Sequence, residues 1–183
     1  MKLAVFRADA STAIGSGHVR RCLAIAAALK RDGWKCRFAV GEESLLVVPE
    51  LTFGEFEVRT LAPDVAGTAE ALARSAPDGC HLLVVDHYRL GRSLESSARH
   101  FARQVVAIDD LADRAHDCDV LVDATPGRSA TDYGPQIADG TALLLGPAYA
   151  PLRPAFAAAR VRRGTHSRDA SRLLVNFGGT DPG

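Results

Sequence analysis

Seven short runs of β-branched and aliphatic residues recur along this chain, and Ala/Leu-rich stretches of helical period lie between several of them. The runs are LAVFRA (3–8), KCRFAV (35–40), FEVRTL (56–61), HLLVVD (81–86), QVVAID (104–109), DVLVDA (119–124) and ALLLG (142–146). Strands that alternate with helices read as βαβ units, so the expected class is α/β, a parallel sheet covered on both faces. In HVRRCLAIAAALKRDG the residues Val19, Cys22, Leu23, Ala26 and Leu29 fall on one stripe, and the segment ends at a glycine suited to a C-cap. Residues 67–76 and 93–103 are the next helical candidates. The second is expected to start at a serine N-cap with Glu95 in its first turn, favourable to the helix dipole.

Composition removes several function classes. The 22 basic and 22 acidic residues cancel, which leaves no electrostatic footprint for nucleic acid. Cys22, Cys36, Cys80 and Cys118 are widely spaced without a C-x-x-C pair, so neither a disulfide framework nor a zinc site is expected. No apolar run approaches membrane-spanning length and the N-terminus opens directly on a strand pattern. The expected compartment is the cytoplasm, with no membrane partner.

The last thirty residues change character. PLRPAFAAARV reads as a helix, a polar basic stretch follows, and then SRLLVNFGGTDPG starts a strand and glycine loop. Residues 1–168 are expected to form one domain. Residues 169–183 are read as a linker end and the first strand and loop of a second domain, with Arg172 to Asn176 as the strand. The competing reading adds that strand to the first sheet.

Ligands of open α/β sheets sit outside the carboxyl ends of the strands. Those ends carry Asp9, Asp86-His87-Tyr88, Asp109-Asp110 and Asp123. Asp123 is read as structural. Asp109-Asp110 has the oxygen chemistry of a divalent-cation site, but a doubled acid at a strand end more often caps a helix or braces a loop, so no metal is assigned. The Tyr88 phenol can hydrogen-bond or stack on a sugar, or close over a core edge. His81, His100, His116 and His166 lack ligand spacing and are assigned structural or surface roles.

The stretch IGSGHVRR (14–21) follows the first strand. Gly15 and Gly17 fit a dinucleotide fingerprint, but Arg20 stands at the third glycine position, and Lys35 and Arg37 stand where a ribose-binding acid belongs. No phosphate-loop motif of the G-x-x-x-x-G-K-[ST] type occurs. What remains is a glycine turn that carries His18 to a helix N-terminus, where the dipole favours a neutral imidazole. Such a histidine at a cleft rim is suited to general-base work. A histidine that merely caps or packs is equally compatible with the residues.

FRADASTAIGSGHVRRCLAIAAAL, VVDHYRL, AIDDLADRAHDCDVLVD, LLLGPAYAPLRPAF and LLVNFGGTDP follow one another in an order that resembles a bacterial family of UDP-sugar hydrolases of pseudaminic acid biosynthesis. The resemblance runs over essentially the whole chain, and its sharpest blocks are the GxGHxxR loop, the DHY tip and the IDDLADRxHDCD stretch. It implies the Rossmann-like N-terminal half of a two-domain glycosyltransferase-type (GT-B) fold, whose C-terminal half binds UDP. It places the catalytic histidine on His18 and the family tyrosine on Tyr88. The reaction it implies is attack of water at the anomeric carbon of a UDP-linked diacetamido-trideoxy hexose, with inversion and without cofactor or metal. The expected substrate contacts are Asp9, Gly15, Gly17, Arg21, Asp86, Tyr88 and Asp110, with Gly178, Gly179 and Thr180 against the nucleotide. The alternatives kept beside it are a glycosyltransferase of the same architecture and a non-catalytic sugar-binding fragment. The chain departs from the family pattern at Arg89, at Ala124-Thr125-Pro126, and at Pro151 and Ala155.

Overall fold

A computed structural model of the chain describes residues 1–62 and 67–162. Residues 169–183, with the expected nucleotide contacts Gly178, Gly179 and Thr180, lie outside the described residues, as does His166.

The seven expected strands form, as β1 (Leu3–Ala8), β2 (Lys35–Gly41), β3 (Glu57–Leu61), β4 (Leu82–Asp86), β5 (Val105–Ile108), β6 (Val120–Asp123) and β7 (Ala142–Leu145). All neighbours pair in parallel, in the order β3-β2-β1-β4-β5-β6-β7, a Rossmann-like sheet.

Alternation along each strand builds a core on either face. On one face Phe6, Phe38, Val84 and Ile108 meet the Val19, Cys22 and Ala26 stripe of α1 (Gly17–Arg31). Register sets Phe6 opposite Phe38, and their rings stack at 4.9 Å between centroids. Full burial of such a side chain contributes about 2–3 kcal/mol. On the other face Val5, Leu83, Val105 and Leu121 pack beneath Leu72, Leu94 and Tyr133. The helices supplying these are α4 (Thr68–Ser75), α5 (Arg92–Ala98) and α6 (Ala130–Tyr133).

Helix α1 ends as its sequence anticipates. Gly33 adopts φ +79°, its N–H reaches the Lys30 carbonyl, and the Trp34 N–H reaches the Leu29 carbonyl, a Schellman closure that only a residue tolerant of positive φ makes cheaply.

Two expectations about helix α5 are corrected. Helix α5 is capped at Gly91 rather than at a serine, and it stops at Ala98 instead of running to residue 103. Glu95 lies in the first turn of α5 as expected, and it is fully buried there, its carboxylate accepting from His116 Nδ1 at 2.8 Å and from the Asp117 N–H at 2.6 Å. Between β2 and β3 lie two short helices absent from the sequence reading, α2 (Glu43–Val47) and α3 (Glu50–Phe53). The expected helix after residue 151 is present as α7 (Pro154–Val161), and its side chains are exposed.

Candidate active site

The strand order reverses between β1 and β4. After β1 the chain moves outward to β2 and β3, then returns to lay β4 on the opposite side of β1. Loops leaving these two carboxyl ends diverge and open a crevice, the usual ligand position in this architecture. His18 and Asp86, 68 residues apart, meet there.

The glycine loop is a tight turn. Ser11 and Gly15 exchange backbone hydrogen bonds of 3.3 and 2.8 Å, and Ser11 Oγ accepts from the Ala13 and Ile14 amides. Gly15 sits at φ +76°, so glycine is required by conformation. Gly17 is different: it is the first residue of α1, and a Cβ there would meet nothing within 4 Å. Its bareness leaves the backbone of the first helical turn open.

His18 does not stand at the rim as expected. It is 3% exposed. Its Nδ1 lies 2.6 Å from Asp86 Oδ1. Asp86 is fully buried at the end of β4, and both its oxygens are engaged. Arg21 clamps it through Nε to Oδ2 at 2.5 Å and Nη2 to Oδ1 at 2.6 Å. A carboxylate already accepting two guanidinium bonds is ionised, so the proton of the short contact belongs to Nδ1. Nε2 is then the nitrogen with a free lone pair, and it has no hydrogen-bond partner. Asp86, expected among the substrate contacts, is fully buried here and holds the imidazole by this hydrogen bond. Arg21 likewise directs three of its five N–H donors to carboxylates of the protein, Nη1 reaching Asp110 Oδ2 at 3.0 Å.

Tyr88 connects this buried dyad to the crevice. Its ring meets His18 edge-on with centroids 4.4 Å apart, and it is 40% exposed. Burial, then the negative Asp110, raises its phenol above the usual range, so it remains a donor at neutral pH. Tyr88 also lines a cleft of about 640 Å³ that includes Asp9, Ser11, Glu43, Thr60 and His87. That volume lies within the range of small-molecule sites.

Asp9 is fixed on the cleft wall. Arg7 donates to its two oxygens at 2.6 and 2.8 Å, the Gly41 amide donates at 2.6 Å, and His87 Nε2 lies 3.3 Å away. His87 Nδ1 accepts the Arg89 N–H, which leaves the proton on Nε2, facing Asp9. Burial would raise the Asp9 carboxyl, but the His87 and Arg7 bonds overcome it and hold it well below the usual carboxylate range. Ser44, which the sequence reading did not single out, is fully buried and bonds both the amide and the carbonyl of Ala10, tying α2 to the loop after β1.

The remaining acidic tips are braces. Asp109 takes hydrogen bonds from the Ala112 amide and Tyr133 and pairs with Arg114 at 2.7 Å. Asp123 takes Tyr133 at 2.8 Å, the Thr125 amide and Arg128. Among the described residues no group of three or more His, Cys, Asp and Glu is arranged to hold a metal ion. The four cysteines are buried free thiols. Among the described residues no helix is long and apolar enough to cross a membrane.

The chain is similar to the UDP-2,4-diacetamido-2,4,6-trideoxy-β-L-altropyranose hydrolase of Campylobacter jejuni, at 23% identity over 179 residues. The match covers 97% of this chain and 60% of the relative, so the chain spans less than two thirds of that relative's length. No family model matches the chain.

Proposed function

We propose that this chain carries the catalytic histidine of a UDP-sugar hydrolase acting on a UDP-linked diacetamido-trideoxy hexose, and that it corresponds to the N-terminal half of a two-domain GT-B arrangement. The observation that carries the reading is the His18–Asp86 dyad at the sheet's switch point, with Nε2 unpartnered and the ring against Tyr88, which lines the cleft. The similarity to a named UDP-sugar hydrolase supports it independently.

In this reaction a water oxygen attacks the anomeric carbon while the bond from that carbon to the β-phosphate oxygen breaks. The electron pair of that bond leaves with UDP, and the proton of the attacking water passes to His18 Nε2. Attack opposite the leaving group inverts the anomeric centre. Asp86 holds the ring in the tautomer whose Nε2 can accept, and it stabilises the imidazolium that forms. Tyr88 and Asp9, which both line the cleft, contact the sugar.

The full-length gene product incubated with the UDP-sugar and no acceptor should release UDP and free sugar in equal amounts. His18→Ala should lower turnover by roughly 10²–10⁴-fold, the usual contribution of a positioned base, with little change in substrate affinity. UDP release only on addition of an acceptor alcohol would make the protein a transferase, and undiminished turnover in His18→Ala would remove the dyad from the mechanism.

A further inference from the structure

We propose that Arg21, anchored by Asp110, is a positioning residue of the dyad: it fixes the Asp86 carboxylate and opposes a second positive charge on His18. This rests on the dyad reading above and extends it to Arg21 and Asp110.

The geometry is specific. Arg21 lies one turn after His18 on α1, which brings the two side chains onto the same face. Its Nη2 is 3.1 Å from His18 Nδ1 as well as 2.6 Å from Asp86 Oδ1. An isolated histidine–carboxylate pair favours imidazolium, because the carboxylate stabilises the charged ring. Such a ring has no free lone pair and is not a base. Here a guanidinium touches both members of the pair. It balances the carboxylate and sets a fixed positive charge against the ring nitrogen that would share the added charge.

Asp110 limits the effect. It accepts from Arg21 Nη1 and draws part of the guanidinium's field away from the ring. Its backbone is held in turn, with its carbonyl accepting Arg128 Nη2 at 2.8 Å. The charged and titratable groups facing His18 are therefore Asp86 from β4, Arg21 and the Cys22 thiol from α1, Tyr88 from the loop after β4, and Asp110 behind Arg21 from the loop after β5. Cys22 stays a neutral thiol, since burial first and Asp86 second push its ionisation up. Arg21 is the only cation in this set.

The two partners predict opposite shifts. In Arg21→Met the carboxylate is unopposed, so the pH midpoint of the His18 imidazole should rise relative to the wild type. In Asp110→Asn the guanidinium acts undivided, and the midpoint should fall. Arg21→Lys keeps the charge and should restore most of the wild-type midpoint. The direct measurement is ¹⁵N-histidine NMR of the full chain between pH 5 and 9, with the His18 signals assigned from their loss in His18→Gln. The wild type should show the proton on Nδ1. Where hydrolysis is present, the acidic limb of the kcat/KM profile should move with the NMR midpoint while the plateau at higher pH changes less. Midpoints that stay put, or move the same way in Arg21→Met and Asp110→Asn, would overturn the proposal. The NMR measurement needs no turnover, so a protein without hydrolase activity would refute the function and still decide the role of Arg21.

Discussion

Raising the pH should weaken this fold through one buried histidine, His116. Its ring is 1% exposed and lies between two carboxylates, with Nδ1 2.8 Å from Glu95 and Nε2 3.8 Å from Asp109. Burial alone would push its pKa down. The Asp109 and Glu95 contacts outweigh burial and raise it from 6.5 to about 9. A group raised on folding stabilises fully below its unfolded pKa and loses that contribution as pH climbs through the folded value. The window is therefore about pH 6.5 to 9. A rise of about 2.5 units at 1.36 kcal/mol per unit gives ~3 kcal/mol near pH 6, about 2.5 kcal/mol at pH 7, and almost nothing by pH 9.5 to 10. The same interaction holds Asp109 well below the ordinary carboxylate range, so it is counted once. The assay is urea unfolding at half-unit pH steps for the wild type and for His116→Gln, which cannot titrate. The difference between the two curves matters, because buried thiols such as Cys118, pushed up to about 12, also weaken the fold once their unfolded counterparts ionise above roughly pH 8.5. The wild-type advantage should shrink by about 2 kcal/mol or more between pH 7 and 9.5. A difference that stays flat over that range would refute the doubly paired imidazolium.

Two further outcomes follow from particular contacts. Gly79→Ala should destabilise by about 2–4 kcal/mol in the same unfolding assay, because its φ is +75° and a Cβ would stand 2.7 Å from the Phe101 carbonyl oxygen; Gly127→Ala, at φ +81° with open space, should cost only about 1 kcal/mol. Equal costs at the two glycines would mean that the Phe101 contact is not tight. Treating the full-length gene product with EDTA should leave hydrolysis unchanged, since Asp109 is committed to Arg114, Tyr133 and a backbone amide and Asp110 to Arg21; loss of activity restored by Mg²⁺ would show that these carboxylates can be recruited as ligands.

The strands, helix α1 and the glycine turn were legible in the sequence because each rests on local stereochemistry. Apolar runs report burial, the Val19-Cys22-Ala26 spacing reports a helical face, and Gly15 and Gly33 stand where the backbone takes positive φ. The sequence also placed His18 and the acidic tips at the carboxyl ends of strands. It could not say which tips meet. That depends on strand order, and only the order β2-β1-β4 sets the Asp86 tip beside the helix that follows β1. With this contact Asp86 changes from an expected substrate ligand to the residue that orients His18, and His18 moves from the rim to the interior. Glu95 shows the same limit. Its place in the first turn of a helix read locally as a dipole partner, while its buried contact with His116 joins residues 21 apart across the loop after β5. Helices α2 and α3 escaped notice because their turns are too short to display a period, and packing of Ser44, Val48 and Leu51 holds them in place. Periodicity records how each segment is wetted; which side chains share a proton or a charge is decided by contacts between segments, and those exist only once the sheet has assembled.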